Sequence, residues 1–295
     1  MRYNKAVVEE AKNKMGGFIS PMLAKPLPAG FDPAPGEWVV EEKLDGHRIV
    51  VQVTDEKADL FGGRLITAWS RYGIERFLPS HIVEVLQKFP VGVYDGELLV
   101  PGKRSYGTVV IENSHLLVYK VFDALNLLGK DLTSLGIGAT QDERRAFLTE
   151  LFKTVGKENC VELSWTKEVS SMEMVVDLAQ EVWAQDGEGL ILKKRSALYE
   201  PAKRPRGVWL KIKKLQSSAL TVVAFRQGKL GPNSIVLLRD EDGNETTVKW
   251  KNFDELAAID ADPGRFIGRK LRIEFQERTT DGSYRHPRWD RWEDE

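Results

Sequence analysis

Lys43 and Asp45 stand where two apolar, β-branched runs meet, in WVVEEKLDGHRIVVQV, residues 38–53. A lysine amine is a nucleophile once it sheds its proton, and phosphorus is one of the centres it attacks. Val39-Val40 and Ile49-Val50-Val51 read as strands with Asp45-Gly46 as the turn between them, and there Lys43 would be only a solvated rim charge. K-x-D-G is too short to decide between the two.

Other residues along the chain have types that suit a phosphate. WSRYG puts Arg71 at a turn after a strand, YDGELLV puts Asp95 and Glu97 at a turn into another, and YKVFDAL ends a strand with Phe122 and Asp123. QDGEGLILKK begins a strand with Glu188 and reaches Lys193 and Lys194, and GVWLKIKK supplies Lys211 and Lys213. Around a nucleoside triphosphate, cations neutralise the phosphates, carboxylates hold Mg²⁺ or a ribose hydroxyl, and an aromatic ring stacks on the base. Taken singly, each has a structural reading: Phe122 as core, Glu188 as a surface charge, Asp95-Gly96 as a hairpin turn.

Net charge is near zero, with 43 basic residues against 44 acidic, but the charge is unevenly spread. Residues 193–214 carry nine Lys and Arg against the single acid Glu200, with Tyr199 and Trp209 interleaved. Val208, Leu210 and Ile212 alternate with Lys211 and Lys213, so a strand there turns its lysines to one face and its apolar side chains to the other. Two lysines on one face make an anion site.

The elements that must position these groups fall into two textures. Up to residue 216, strands alternate with helices, clearest at 78–88, 141–153 and 170–184, which predicts an α+β or mixed domain. Beyond it, strand-like runs at 219–226, 234–239, 245–250 and 269–277 are parted by GKLGPN and EDGN, with one helical stretch, NFDELAAI. That pattern suits a five-stranded OB-type barrel. The single cysteine, Cys160, excludes an internal disulfide, and the four histidines lack ligand spacing. No apolar run is long enough to span a bilayer, and the charged, amphipathic start at 1–17 has no secretory stretch, so the expected compartment is the cytoplasm.

In their order and spacing, E-x-K-x-D-G-x-R (41–48), S-R-x-G (70–73), D-G-E (95–97), F-D (122–123), E-G-x-x-x-K (188–193) and L-K-x-K (210–213) resemble the covalent nucleotidyltransferase superfamily, most closely the ATP-dependent DNA ligases. The resemblance runs from PMLAKPLP at 21–28 to YRHPRW at 284–289. It implies a nucleotidyltransferase (adenylation) domain over 1–216 and an OB-fold domain over 217–295, acting as a monomer on nicked double-stranded DNA with ATP and Mg²⁺. By the same resemblance Lys43, Asp45, Lys211 and Lys213 are catalytic, and Lys43 is the nucleophile that forms a phosphoramidate with AMP. Arginine could not replace it, because guanidinium stays protonated.

Glu41 resembles the residue that reads the adenine amino group, Arg48 and Glu97 the ribose contacts, and Phe122 the ring stacked on adenine. Glu97 and Glu188 would lie near the metal, and Lys193, with Lys211 and Lys213, at the phosphates. Arg71 resembles the residue that holds the 5′-phosphate of a nick, and Arg285 and Arg288 those that orient the leaving pyrophosphate. His286 stands where an apolar residue is more usual.

The resemblance also implies a minimal enzyme, with no helical DNA-binding domain, no cysteine-rich zinc module and short OB connections. A capping guanylyltransferase or RNA ligase would share the lysine motif and the fold. A non-catalytic OB module would use the basic and aromatic residues and leave the carboxylates unexplained.

Overall fold

The computed structural model describes residues 18–57, 63–102, 111–156, 158–250, 253–276, 278–279 and 282–293. The charged start at 1–17 lies outside them. The chain divides into two compact units, residues 1–212 and 213–295.

The first unit is α+β and carries two sheets. In one, the strands run in the order Lys25–Pro26, Trp209–Lys213, Gly189–Lys194, Trp38–Glu42, Lys167–Val169. In the other the order is Arg64–Ser70, His47–Lys57, Gly92–Leu99, Val118–Leu127, Lys130–Asp131, with Val161–Leu163 parallel to Val118–Leu127. The unbroken run IVV has a physical cause, because the strand His47–Lys57 is buried on both faces. Ile49, Val51 and Val53 enter a core with Ile82, Leu86, Phe89 and Leu148, while Val50 faces a second one with Met22, Val93, Leu125, Tyr199 and Trp209.

Helices Ser80–Leu86, Gln141–Val155 and Met172–Ala184 lie within the runs expected or extend them slightly. Thr140 begins the second of these by accepting from the Glu143 amide, while Glu143 takes the Thr140 amide in return, a reciprocal cap that contributes about 1 kcal/mol.

The second unit has a five-stranded antiparallel sheet in the order Glu245–Lys249, Gly231–Arg239, Gln216–Gly228, Lys270–Phe275, Arg288–Trp292. The helix Phe253–Ala261 falls before the fourth strand in the chain, as expected, and among the described residues no ladder joins the two outer strands to close the sheet. Those strands come within 8 Å and meet through side chains, Trp250 lying 5.4 Å from Trp289 and 5.7 Å from Trp292. Arg288–Trp292, read only as part of a motif, is a strand.

Asp240 ties this unit together. Its carboxylate accepts from the Asn244 amide at 2.8 Å and the Tyr284 hydroxyl at 2.9 Å, and Arg278 lies at 2.8 Å. Burial pushes the carboxyl upward, but these donors outweigh it and hold Asp240 at about 2. An unfolded aspartate titrates near ~3.9, so the stabilisation is complete above that pH and is lost as pH falls towards about 2. Acid unfolding followed by tryptophan fluorescence is expected to steepen over that interval. Asp240→Asn should be less stable at neutral pH and flatter there, and an acid limb equal to the parent's would assign the transition elsewhere.

Candidate active site

E-x-K places two side chains on one face of a strand. Trp38–Glu42 pairs antiparallel with Gly189–Lys194, Glu41 opposite Ile191 and Val39 opposite Lys193, and the Lys43 amide continues the pairing to the Gly189 carbonyl at 2.8 Å. Val40, Leu190 and Leu192 enter the core on the far side. The near face therefore presents Glu41, Lys43, Ile191 and Lys193 together. Lys43 forms an ion pair with Glu188 at the end of this ladder.

Glu41 and Lys193 form a diagonal cross-strand pair at 2.8 Å and are almost wholly buried. Ser164 and Thr166 donate to the same carboxylate at 3.4 and 3.3 Å. The Lys193 ammonium also lies 4.4 Å from the Trp209 ring centre and 5.0 Å from that of Phe122. Lys193, expected at the phosphates, is thus engaged by Glu41 and two aromatic rings.

In the other sheet Arg48 is opposite Glu97. Its guanidinium grips the fully buried Asp95 in a fork, at 2.9 and 2.5 Å, and Tyr199 donates to Asp95 at 2.7 Å. Two turn readings are corrected here. Asp95-Gly96 lies inside the strand Gly92–Leu99, paired on both sides, and glycine is required there because a Cβ at Gly96 would come within 2.6 Å of the Tyr119 ring and the Lys120 carbonyl oxygen. Asp45-Gly46 closes no hairpin, since the strands on either side belong to different sheets. Gly46 is needed because a Cβ there would lie 2.4 Å from the Leu98 carbonyl oxygen.

Phe122 is aimed by a bulge. Asp95 pairs with Asp123 and Gly96 with Val121, so Phe122 has no partner in the ladder and swings towards Arg48, 5.1 Å from its ring centre. Asp123 is not at the site. It is fully buried against Arg144, at 2.7 and 3.2 Å.

These residues line one cavity of about 450 Å³ with Glu41, Lys43, Arg48, Arg71, Glu97, Phe122, Lys193 and Lys211 on its walls, joined by Ile191, Arg204 and Trp209. The size is that of a small-molecule site. Burial pushes the Glu97 carboxyl up to about 7, against the pull of Lys43 and Arg48. Lys213 ends the strand Trp209–Lys213 where the first unit gives way to the second, and Arg285 and Arg288 belong to the second, where Arg288 is exposed and opposite Glu274. Among the described residues no three His, Cys, Asp or Glu side chains are grouped to hold a metal. Glu97 and Glu188, which feel each other's charge, offer hard oxygen ligands of the kind that hold Mg²⁺ when substrate phosphates complete its shell.

Residues 21–213 match the family described as the ATP dependent DNA ligase domain. The chain belongs to that family. Among the relatives of this ligase-domain chain is a DNA ligase of Monkeypox virus, 26% identical over 282 residues, covering 86% of this chain and 47% of the viral protein. A DNA ligase of Methanothrix thermoacetophila is 26% identical over 240 residues, 74% of this chain and 41% of that one. The chain spans about half the length of the curated relatives it matches. In fold it is similar to a Lig E DNA ligase, with a TM-score of 0.70 at 19% identity, covering 93% of this chain and 99% of the other.

Ser164, Thr166 and Gln141, which support the site, carry no sequence signal. Ser164 and Thr166 reach Glu41 across 123 and 125 residues from an unremarkable ELSWT. Trp209, one wall of the cavity, is held through its indole N–H by Gln141 at 3.3 Å, and Gln141 in turn takes a hydrogen bond from Arg144 at 3.0 Å.

Proposed function

We propose that the chain is an ATP-dependent DNA ligase that seals nicks in duplex DNA through a lysyl-AMP intermediate. The observation that carries this reading is the placing of Lys43 on the wall of a cavity that also holds a buried Glu41–Lys193 pair, the Phe122 ring and the Glu97 carboxylate. The Lys43 nitrogen attacks the α-phosphorus of ATP, a P–N bond forms, and pyrophosphate leaves with the electrons of the broken P–O bond. Glu41 orients the adenine, Phe122 covers its face, and Arg48 and Glu97 meet the ribose.

AMP then passes from Lys43 to the 5′-phosphate of the nick, held by Arg71. The adjoining 3′-hydroxyl attacks that phosphorus and expels AMP. Glu97 and Glu188 would hold Mg²⁺, which when bound offsets phosphate charge. Asp45, Lys211 and Lys213 belong to the same catalytic set, Lys211 and Lys213 as phosphate contacts, and Arg285 and Arg288 to the departure of pyrophosphate. Lys193, through Glu41, acts at the base end.

The adenylation domain spans 1–216 in this reading and an OB-type domain spans 217–295. The strand order of the second unit and its tryptophan seam support the latter. A monomeric, cytoplasmic enzyme is part of the same proposal. No helix among the described residues is long and apolar enough to cross a membrane.

Incubation with α-labelled ATP, Mg²⁺ and nicked duplex tests the reading. Labelled protein and sealed strand are expected together. Labelling by GTP with transfer to an RNA 5′-diphosphate would make the chain a capping enzyme, and no covalent label with either nucleotide would leave a binding module.

A further inference from the structure

The turn after Arg64–Ser70 leaves large apolar side chains in water. Phe77 is 101% exposed, Tyr72 73% and Ile74 53%. This is not a slack loop. The Ser70 amide donates to the Ile74 carbonyl at 2.8 Å, the Arg76 amide to the Ala68 carbonyl at 2.8 Å, and the Ser70 hydroxyl accepts from the Tyr72 and Ile74 amides. An ordered turn that holds three apolar side chains out of every core presents them to something else.

Its charges say what. Arg71 lies 4.7 Å over the Tyr72 ring, and Arg71, Tyr72 and Arg76 line the cavity that contains Lys43. Against these two arginines the turn carries one acid, Glu75. Cations beside flat exposed rings match a DNA strand, which offers a phosphate and the apolar edge of a sugar at every step. Phe77 itself is not on the cavity wall, so it extends this surface outward from the reacting centre.

We infer that Phe77, backed by Tyr72, is an apolar contact to the duplex beside the nick, seated against a base or sugar and indifferent to sequence. The inference rests on the ligase reading above and adds to it a contact that is not electrostatic. Phosphate contacts release counterions and weaken with salt, whereas an aromatic contact does not.

Binding of the parent, Phe77→Ala and Arg71→Ala proteins to nicked duplex, by fluorescence anisotropy over a range of salt, separates the two kinds of contact. Phe77→Ala is expected to bind about tenfold more weakly with an unchanged slope of log Kd against log salt. Arg71→Ala should make that slope shallower by about one. Phe77→Ala should also label with ATP as the parent does and unfold at the same temperature. Parental affinity in Phe77→Ala, or a loss that arises through a changed slope, overturns the inference and leaves the ligase reading standing. A parent protein that labels with ATP and fails to bind nicked duplex overturns both.

Discussion

Lys43→Ala and Lys43→Arg are each expected to abolish covalent labelling by α-labelled ATP, by about 10⁴-fold or more, the scale on which removal of a covalent nucleophile acts. The side chain is partly exposed at 22% and sits in the connection between two sheets, so neither change empties a core. Arginine is the sharper test. It keeps a positive charge for Glu188 and cannot give up its proton, so a silent Lys43→Arg protein with parental thermal unfolding separates the attacking atom from the ion pair. Acid-labile, alkali-stable enzyme–AMP in either variant would place the nucleophile elsewhere.

The second large effect is on stability. Asp123 and Arg144 are both fully buried and joined by a fork, and the guanidinium also donates to the Ala139 carbonyl at 2.7 Å. Removing one partner strands a charge in the core, which costs about 3–5 kcal/mol. Asp123→Ala should therefore lower the melting temperature by roughly 10 °C. Replacing both residues by apolar ones should cost less than the sum of the single changes, because no lone charge remains. Calorimetry on the two singles and the double closes that cycle, and strict additivity would mean that the pair is not energetically coupled. Since Gln141 links Arg144 to Trp209, Asp123→Ala should also weaken nucleotide binding without touching the nucleotide.

What was legible in the sequence follows from geometry that repeats locally. L-K-x-K could be read because a strand returns to the same face every two residues, and the helices at 78–88, 141–153 and 170–184 because apolar residues recur at helical spacing. Asp95-Gly96 was misread because the same letters serve a turn and a strand interior. The neighbouring strand, which brings Tyr119 and the Lys120 carbonyl against Gly96, tells them apart. The bulge at Phe122 depends on the register of two strands, and Lys193 was drawn to Glu41 by a pairing no local spacing records. The resemblance puts Lys193 at the phosphates, and what the sequence does not record is that its ammonium also faces Glu41 and two aromatic rings. Closure of the second unit is not legible locally, because alternation predicts strands but not whether the outermost two hydrogen-bond.

The strand Lys25–Pro26 pairs in parallel with Trp209–Lys213, and the Met22 amide reaches the Tyr199 hydroxyl 177 residues away. Such a closure is paid for in chain entropy before it returns any contact, so it belongs late on the folding path. On a ribosome, the hairpins around His47–Lys57 can assemble while the cavity still lacks Trp209 and Lys211. The nascent chain thus carries Lys43 long before it has the cavity around it, and that cavity is walled only once Trp209–Lys213 has emerged and paired with Lys25–Pro26.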